Sequence, residues 1–569
     1  MMVKRERGLA GVEPRSHSLV VRATGNRVGP FPREFKSLSR RHTVPHHHNV
    51  HVRQVRALDV DPSSKPQRRW YALMALGILL HALSMMNSDL GLDAHVRLNA
   101  AMDETATGQD LAWGNLRVED STRQTPDDPG EYKGYIPPWF ASETWVKLSA
   151  CVGVLGVALL AGAVPKWSIQ PGRFDPTPAA LVLLSPIFLF VSGRGYDEGL
   201  LALIAGLGVI GFLFNQGALR HERLLHVLMM ATAVLLLLGW KGFGMMFCLG
   251  AWALTLVVGF AWVMIEDGRT DRIGTWLRHP WKMGGLAAVL VLLAVFVVGF
   301  FGDVPTFRIV RERPLAYALA TLTAAAHASI VFLLVGFMLW PMVVARWSSI
   351  LAWRGPGPTM VVVYVSVLLA GISSYIGALW TLEASLWNRS LPETMLVLGN
   401  NGRYATAILL PLLTLLRWIE PSNPSSVAKE SRNIGIAAVA LVPLMLFIAL
   451  FGQQLWSDDA GAWLADITEE EECFLMVAPE TLAMHHLYVI KSHVDLTGER
   501  DIDAYWRTPE QAQPWLDGHP ACAGLILVAP GAAFTPNNAE YTLAHTEEVP
   551  FTMSGGASDD GWQVFARPT

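Results

Sequence analysis

Directly after its first apolar run of membrane length the chain reads Ser-Asp-Leu-Gly-Leu-Asp-Ala-His-Val-Arg, residues 88–97. A carboxylate in hydrocarbon is costly, so Asp89, Asp93 and His95 are expected where a membrane helix meets water, beside a polar cavity. A base kept at that depth can act on a group carried at the lipid headgroups. Further acids and bases stand beside other apolar runs: Tyr196, Asp197 and Glu198 after Arg194, then Lys241, then Arg308 with Arg311 and Arg313, and finally Arg403-Tyr404.

The elements that must position these residues are membrane helices. Hydrophobic residues make up 52% of 569, charged residues 16%, and the mean hydropathy is +0.33, too apolar for a soluble chain of this length. A window of roughly 19 residues predicts about eleven helices, centred on 70–88, 144–165, 178–193, 198–216, 223–240, 242–265, 282–302, 317–345, 359–382, 404–419 and 433–455. The expected fold is therefore mainly α, a polytopic helical bundle, with a small C-terminal α/β domain.

Charge separates along the chain. Residues 1–70 hold 15 Lys/Arg against 5 Asp/Glu, whereas residues 456–569 hold 4 against 19. Basic segments stay on the cytoplasmic side, so the N-terminal tail is expected inside, and an odd number of spans puts the acidic C-terminal region outside. Lys166 with Arg173, Arg220 with Arg223, Arg269 with Arg272 and Arg278, Arg346 with Arg354, and Arg417 with Lys429 and Arg432 then fall inside. The first loop, 89–143, falls outside and carries 11 Asp/Glu against 4 Lys/Arg.

Three parts follow: a basic cytoplasmic tail, 1–69, whose composition argues disorder; a membrane domain, 70–456, including loop 89–143; and an exterior domain, 457–569. His46, His47 and His48 read as part of a solvated tail near anionic lipid heads. In the exterior domain Cys473–Ala478, Leu525–Ala529, Tyr541–Ala544 and Trp562–Ala566 have strand patterns, and Thr508–Leu516 has helical spacing. That domain carries no nucleotide loop and no nucleophile elbow, and is expected to cap the membrane domain or bind an acceptor. Cys473 and Cys522 share it, and spacing leaves their pairing open.

On this parity the acids and bases named above gather on the outer face. Transfer of a sugar from a phosphate-linked lipid needs such a set. A carboxylate deprotonates or orients the acceptor hydroxyl, Arg or Lys neutralises the phosphate leaving group, and both sit at headgroup level.

The chain resembles the GT-C class of integral membrane glycosyltransferases, which includes protein O-mannosyltransferases and aminoarabinose transferases. The resemblance rests on GLDAHVRLNAA after the first span, GYIPPWFASETW entering the second, SPIFLFVSGRGYDEGLLAL, and NGRYATAILLPLL, and it covers roughly residues 70–420. It implies a polyprenyl- or dolichyl-phosphate sugar donor, a protein, lipid or glycan acceptor, and a cell-membrane location, with no nucleic-acid partner. Under it Asp93 is the base, Asp89 its helper, and Arg403 a phosphate contact supported by Tyr404. His95, Arg97, Tyr196, Asp197, Glu198, Lys241 and Arg308 would line the substrate site. Relatives often show adjacent acids where this chain has Asp-Ala-His. The motif admits a divalent ion held by Asp89, Asp93 and His95 and calls for no other cofactor.

Each residue has a plainer reading. Asp93 and Arg97, four apart, suit a surface ion pair; Asp89 suits an N-cap; Asp197 and Glu198 suit a helix dipole; Arg403 suits a headgroup anchor; and Arg308, Arg311 and Arg313 suit a lipid-facing charge run. The alternative function is a multi-pass transporter or lipid flippase, which predicts internal repeats and charges near the midplane.

Overall fold

A computed structural model describes residues 65–102, 142–164, 174–215, 217, 219–241, 243–267, 272–302, 305–421, 424–452, 454–468, 471–479, 482–496, 500–519, 524–549 and 561–567. His46–His48, most of the first loop, Lys166, Arg173, Arg269 and Cys522 lie outside these residues.

The first helices are α1 (Lys65–Asn87), α2 (Leu92–Met102), α3 (Glu143–Ala163), α4 (Pro176–Leu183), α5 (Pro186–Gly193) and α6 (Glu198–Leu207). They are followed by α7 (Arg220–Trp240), α8 (Met245–Asp267), α9 (Arg272–Leu277), α10 (Pro280–Phe301), α11 (Pro305–Glu312) and α12 (Pro314–His327). The rest of the bundle is α13 (Trp340–Ala352), α14 (Pro356–Leu386), α15 (Leu391–Val397), α16 (Thr406–Trp418) and α17 (Pro424–Phe451). Proline at the first turn starts α4, α5, α10, α12 and α14, a position with no backbone donor to lose.

Among the described residues eight helices are long and apolar enough to cross a membrane, or nine if the bent pair α4–α5 is one span. The difference from the eleven expected lies in three places. The 178–193 run folds as two helices bent by 56°. The 198–216 run yields a ten-residue helix, α6, and a separate 3-10 turn. The 404–419 run becomes a 3-10 turn, Gly399–Ala405, followed by the thirteen-residue α16. At 1.5 Å per residue neither α6 nor α16 covers a hydrocarbon core of about 30 Å. Hydropathy windows register apolar length and not the breaks at Ser185-Pro186, Gly208 and Arg403.

The short helices are nevertheless central. α16 packs on α6 and α14, and α6 on α3. Gly153 of α3 and Gly199 of α6 touch each other's backbones, since a Cβ on Gly153 would lie 2.9 Å from Leu200 N and one on Gly199 2.9 Å from Val154 N. Small residues allow this approach in a membrane bundle, and it fixes the start of α6. A continuous apolar core runs from Val154 through Phe188, Phe212 and Val361 to Ile408 and Leu413.

After α18 (Trp456–Ile467) comes an α/β module of β1 (Glu471–Val477), α19 (Ala483–Val494), β2 (Asp501–Arg507), α20 (Pro509–Gly518), β3 (Leu525–Val528), β4 (Thr542–Glu547) and β5 (Trp562–Ala566). Its sheet has the order β2-β1-β3-β5-β4. β1 pairs in parallel with β2 and β3, with Phe474 opposite Ala504 and Leu525, while β5 runs antiparallel to β3 and β4. One face packs on α18 and α19 through Phe474, Met476, Leu487 and Leu464, and the other on α20 through Leu475, Val477 and Trp515. The strands expected from the pattern form, as does the helix after Thr508. The sequence reading named neither β2 nor α19. Cys473 is disulfide-bonded; Cys151 and Cys248 are free and buried.

Candidate active site

Charges collect at two opposite ends of the bundle, as the helix directions require. At one end Arg417, near the C-terminus of α16, bonds Asp175 Oδ2 at 3.0 Å and Val164 O at 3.1 Å. There too Arg223 bonds Asp267 at 2.7 Å, Arg278 bonds Glu266 at 2.8 Å, and Arg346 bonds Glu430 at 2.8 Å. These arginines, read from sequence as inner-loop charges, are ion-paired.

The other end holds the first-loop acids. Arg403, in the turn before α16, is 3% exposed, and Glu198, at the start of α6, is 1% exposed. Arg403 Nε donates to Glu198 Oε1 at 2.6 Å, Nη2 to Asp93 Oδ2 at 2.6 Å, and Nη1 to Asn401 Oδ1 at 3.3 Å. Its guanidinium also lies 4.5 Å from the centre of the Tyr196 ring and 5.1 Å from that of Tyr404, a cation–π arrangement favoured where water is excluded. Asp93 sits in the first turn of α2 with its side chain 40% exposed. It is the open edge of an otherwise buried cluster.

A second set stands beside the first. Asp197 accepts from the Trp240 indole, and lies 3.3 Å from Arg97 Nη1 and 3.9 Å from Lys241 Nζ. Lys241 in turn rests 4.4 Å from the Tyr404 ring centre. Arg97 crosses from α2 to Asp197 and donates to Gly195 O at 3.0 Å, so the four-residue spacing does not produce a surface pair with the Asp93 carboxylate. Arg194 is 2% exposed, between the Phe190 and Tyr196 rings, and its Nε and Nη1 have no hydrogen-bond partner among the described residues.

Burial works against an ionised Asp93, but Arg403, then His485, Arg97 and Lys241, outweigh it and hold the carboxyl below its ordinary range. Asp197 is held well below that range too, burial being overcome by Lys241, Arg97 and the Trp240 hydrogen bond. Asp89 behaves oppositely: burial, then the neighbouring Asp458, pushes its carboxyl up to about 6. Its Oδ2 accepts the Leu455 N–H at 2.7 Å, at the entrance of α18 rather than of α2. Burial pulls the His95 imidazole down to about 3. His95 bonds Ser492 Oγ at 2.9 Å and lies 3.6 Å from Asp458.

The site residues thus divide. Asp93, Arg97, Tyr196, Asp197, Glu198, Lys241, Arg403 and Tyr404 converge. Asp89 and His95 face α18 and α19, and Arg308 pairs with Glu312 along α11 at 3.8 Å. Asp89, Asp93 and His95 do not aim at one point, and among the described residues no group of three His, Cys, Asp or Glu is arranged to hold a metal ion.

The sequence reading missed His485, whose Nε2 lies 3.8 Å from Asp93 Oδ1, as well as Trp240 and Asn401. The adjacent histidines and apolar spacing of AMHHLYVIKSHV are the signal that marks α19 as a helix with a polar face.

Fold and site together define a polytopic helical membrane protein with a charge cluster at one end of its bundle, beside which α19 of the α/β module packs on α2. No family model matches the chain, and no curated protein does. Two solved structures are similar to it: crystal structures of ArnT from Cupriavidus metallidurans, in the apo state and bound to undecaprenyl phosphate. The first is 14% identical with a TM-score of 0.27 and the second 12% with 0.26; each alignment covers 88% of this chain and 98% of the other.

Proposed function

We propose that this chain is a membrane glycosyltransferase that moves a sugar from a polyprenyl-phosphate carrier to an acceptor hydroxyl at the outer membrane face. One observation carries the reading: an ionised carboxylate, Asp93, stands at the open edge of a buried cation cluster at the end of an apolar bundle. Its Oδ2 is taken by Arg403 at 2.6 Å, leaving Oδ1 to receive a proton. The acceptor O–H gives its proton to Oδ1, and the acceptor oxygen bonds to the anomeric carbon. The bond from that carbon to the phosphate oxygen breaks in the same step, with its electron pair leaving on the phosphate.

Arg97, Lys241 and Arg403 supply fixed positive charge where that phosphate charge grows, and charge held among buried side chains counts for more than charge in bulk water. Their own carboxylates, Asp197 and Glu198, hold them in place before a lipid arrives. The resemblance of the four sequence motifs to the GT-C class points the same way.

The test is to incubate the purified chain in lipid nanodiscs with polyprenyl-phosphate sugars extracted from its own host membranes. The reading expects release of polyprenyl monophosphate coupled to glycosylation of an acceptor in those membranes. Movement of intact donor across vesicles containing the chain, without cleavage, would favour a flippase instead.

A further inference from the structure

Asp93 is held from two sides by two different parts of the chain. Arg403, from the membrane bundle, takes Oδ2. Oδ1 faces His485, which stands in the first turn of α19 in the C-terminal module, 3.8 Å away and 27% exposed. That distance is in ion-pair range and too long for a hydrogen bond. One oxygen atom about 2.8 Å from each atom can reach both at once, since two such contacts close a triangle on a 3.8 Å base.

The juxtaposition is fastened along its length. α19 lies against α2, with Asn99 Nδ2 donating to Tyr488 O at 2.9 Å and to Ser492 Oγ at 2.8 Å. His95 Nδ1 meets the same Ser492 Oγ, and Asp458 of α18 joins His493 at 2.8 Å. These bonds fasten α19 to α2 and α18, so the approach of His485 to Asp93 is set by helix packing as well as by the two side chains.

We propose that His485 positions the acceptor: the incoming hydroxyl bridges Asp93 Oδ1, to which it gives its proton, and His485 Nε2–H, from which it accepts a hydrogen bond. The inference rests on the sugar-transfer reading above and assigns the C-terminal module a direct share in the reaction centre. A hydroxyl held at both points is oriented before attack, which is the part of catalysis that proximity supplies.

The test is transfer by host membranes that lack the native chain and carry either wild type or a variant, with labelled donor from the same cells, expressed per inserted molecule. His485→Gln keeps a donor near the position of Nε2, whereas His485→Phe keeps the ring shape without one. At saturating donor, His485→Phe is expected to fall about tenfold or more while His485→Gln stays within about threefold, with the donor KM unchanged in both. His485→Ala takes the place of the Phe variant if that protein does not accumulate. Phe equal to wild type, or Gln as poor as Phe in normally inserted protein, overturns the proposal. Failure of wild type itself to transfer sugar overturns the functional reading instead.

Discussion

Exchange of Arg403 for Gln tests how the buried cluster is held together. The guanidinium is 3% exposed and bonds Glu198, 1% exposed, at 2.6 Å, and Glu198 Oε2 has no hydrogen-bond partner among the described residues. Without the arginine a buried carboxylate loses its contacting cation, which costs about 3–5 kcal/mol in comparable pairs. Neutralising the carboxylate as well, in the Arg403→Gln, Glu198→Gln double variant, removes the uncompensated charge and should recover more than half of the loss. Asp93 responds through its own balance. Its carboxyl is depressed, so it contributes stability that is present above the ordinary carboxylate pKa and lost as pH falls through the lowered one. Loss of Arg403, its strongest counter to burial, moves that carboxyl upward and brings the acid loss to higher pH. Unfolding of the detergent-purified chain by SDS titration at several pH values reads both effects. Equal stability of the single and double variants, or a single variant as stable as wild type, would refute the reasoning.

Three further outcomes follow from other contacts. Asp89, raised to about 6, binds its proton more tightly in the native than in the unfolded state, so it lowers stability as pH rises from about 4 to 6. His95, lowered to about 3, lowers stability as pH falls below about 6.5. Asp89→Asn should therefore steepen the loss of stability toward acid and His95→Asn should flatten it, both read by thermal unfolding from pH 4 to 7; parallel profiles would contradict the assignment. A Cβ on Gly91 would lie 2.4 Å from the Tyr196 ring, which faces Arg403, so Gly91→Ala should cut sugar transfer about tenfold or more with the chain still inserted; unaltered turnover would show that this ring's position is unimportant. At the opposite end Asp175 pairs with Arg417 and also accepts the Thr177 N–H at 2.9 Å as the cap of α4. Asp175→Ala should cost about 3–5 kcal/mol for the buried pair and about 1 kcal/mol more for the cap. Asp175→Asn should spare only the latter, and SDS unfolding distinguishes the two.

Much of the charge cluster was legible because membrane composition leaves few charges to choose from. Asp93, Asp197, Glu198, Lys241 and Arg403 stand out in an apolar background, and their positions at helix ends follow from the cost of charge in hydrocarbon. Which charge meets which was not legible. The Asp93–Arg97 spacing suggests a local pair, but Arg97 turns to Asp197 and Asp93 to a residue 310 positions away, a choice made by where the fold brings the turns that precede α6 and α16. Asp89 and His95 share the motif with Asp93 but lie nearest to α18 and α19, since successive helical positions face different ways. His485 was hidden because α19 belongs to a module whose strands were easier to read than its helices. The span count shows the complementary limit: apolar runs predict burial in lipid, while the proline, glycine and arginine that break α4–α5, α6 and α16 decide how far each helix reaches.

The measurement that bears most directly on the central claim is single-turnover transfer by the Asp93→Asn chain, purified in nanodiscs, from polyprenyl-phosphate sugar to host-membrane acceptor. Asparagine still offers an oxygen to Arg403 but takes no proton, so the account predicts donor binding close to wild type and transfer reduced about 10²–10⁴-fold. Transfer at the wild-type rate by the inserted variant would contradict it.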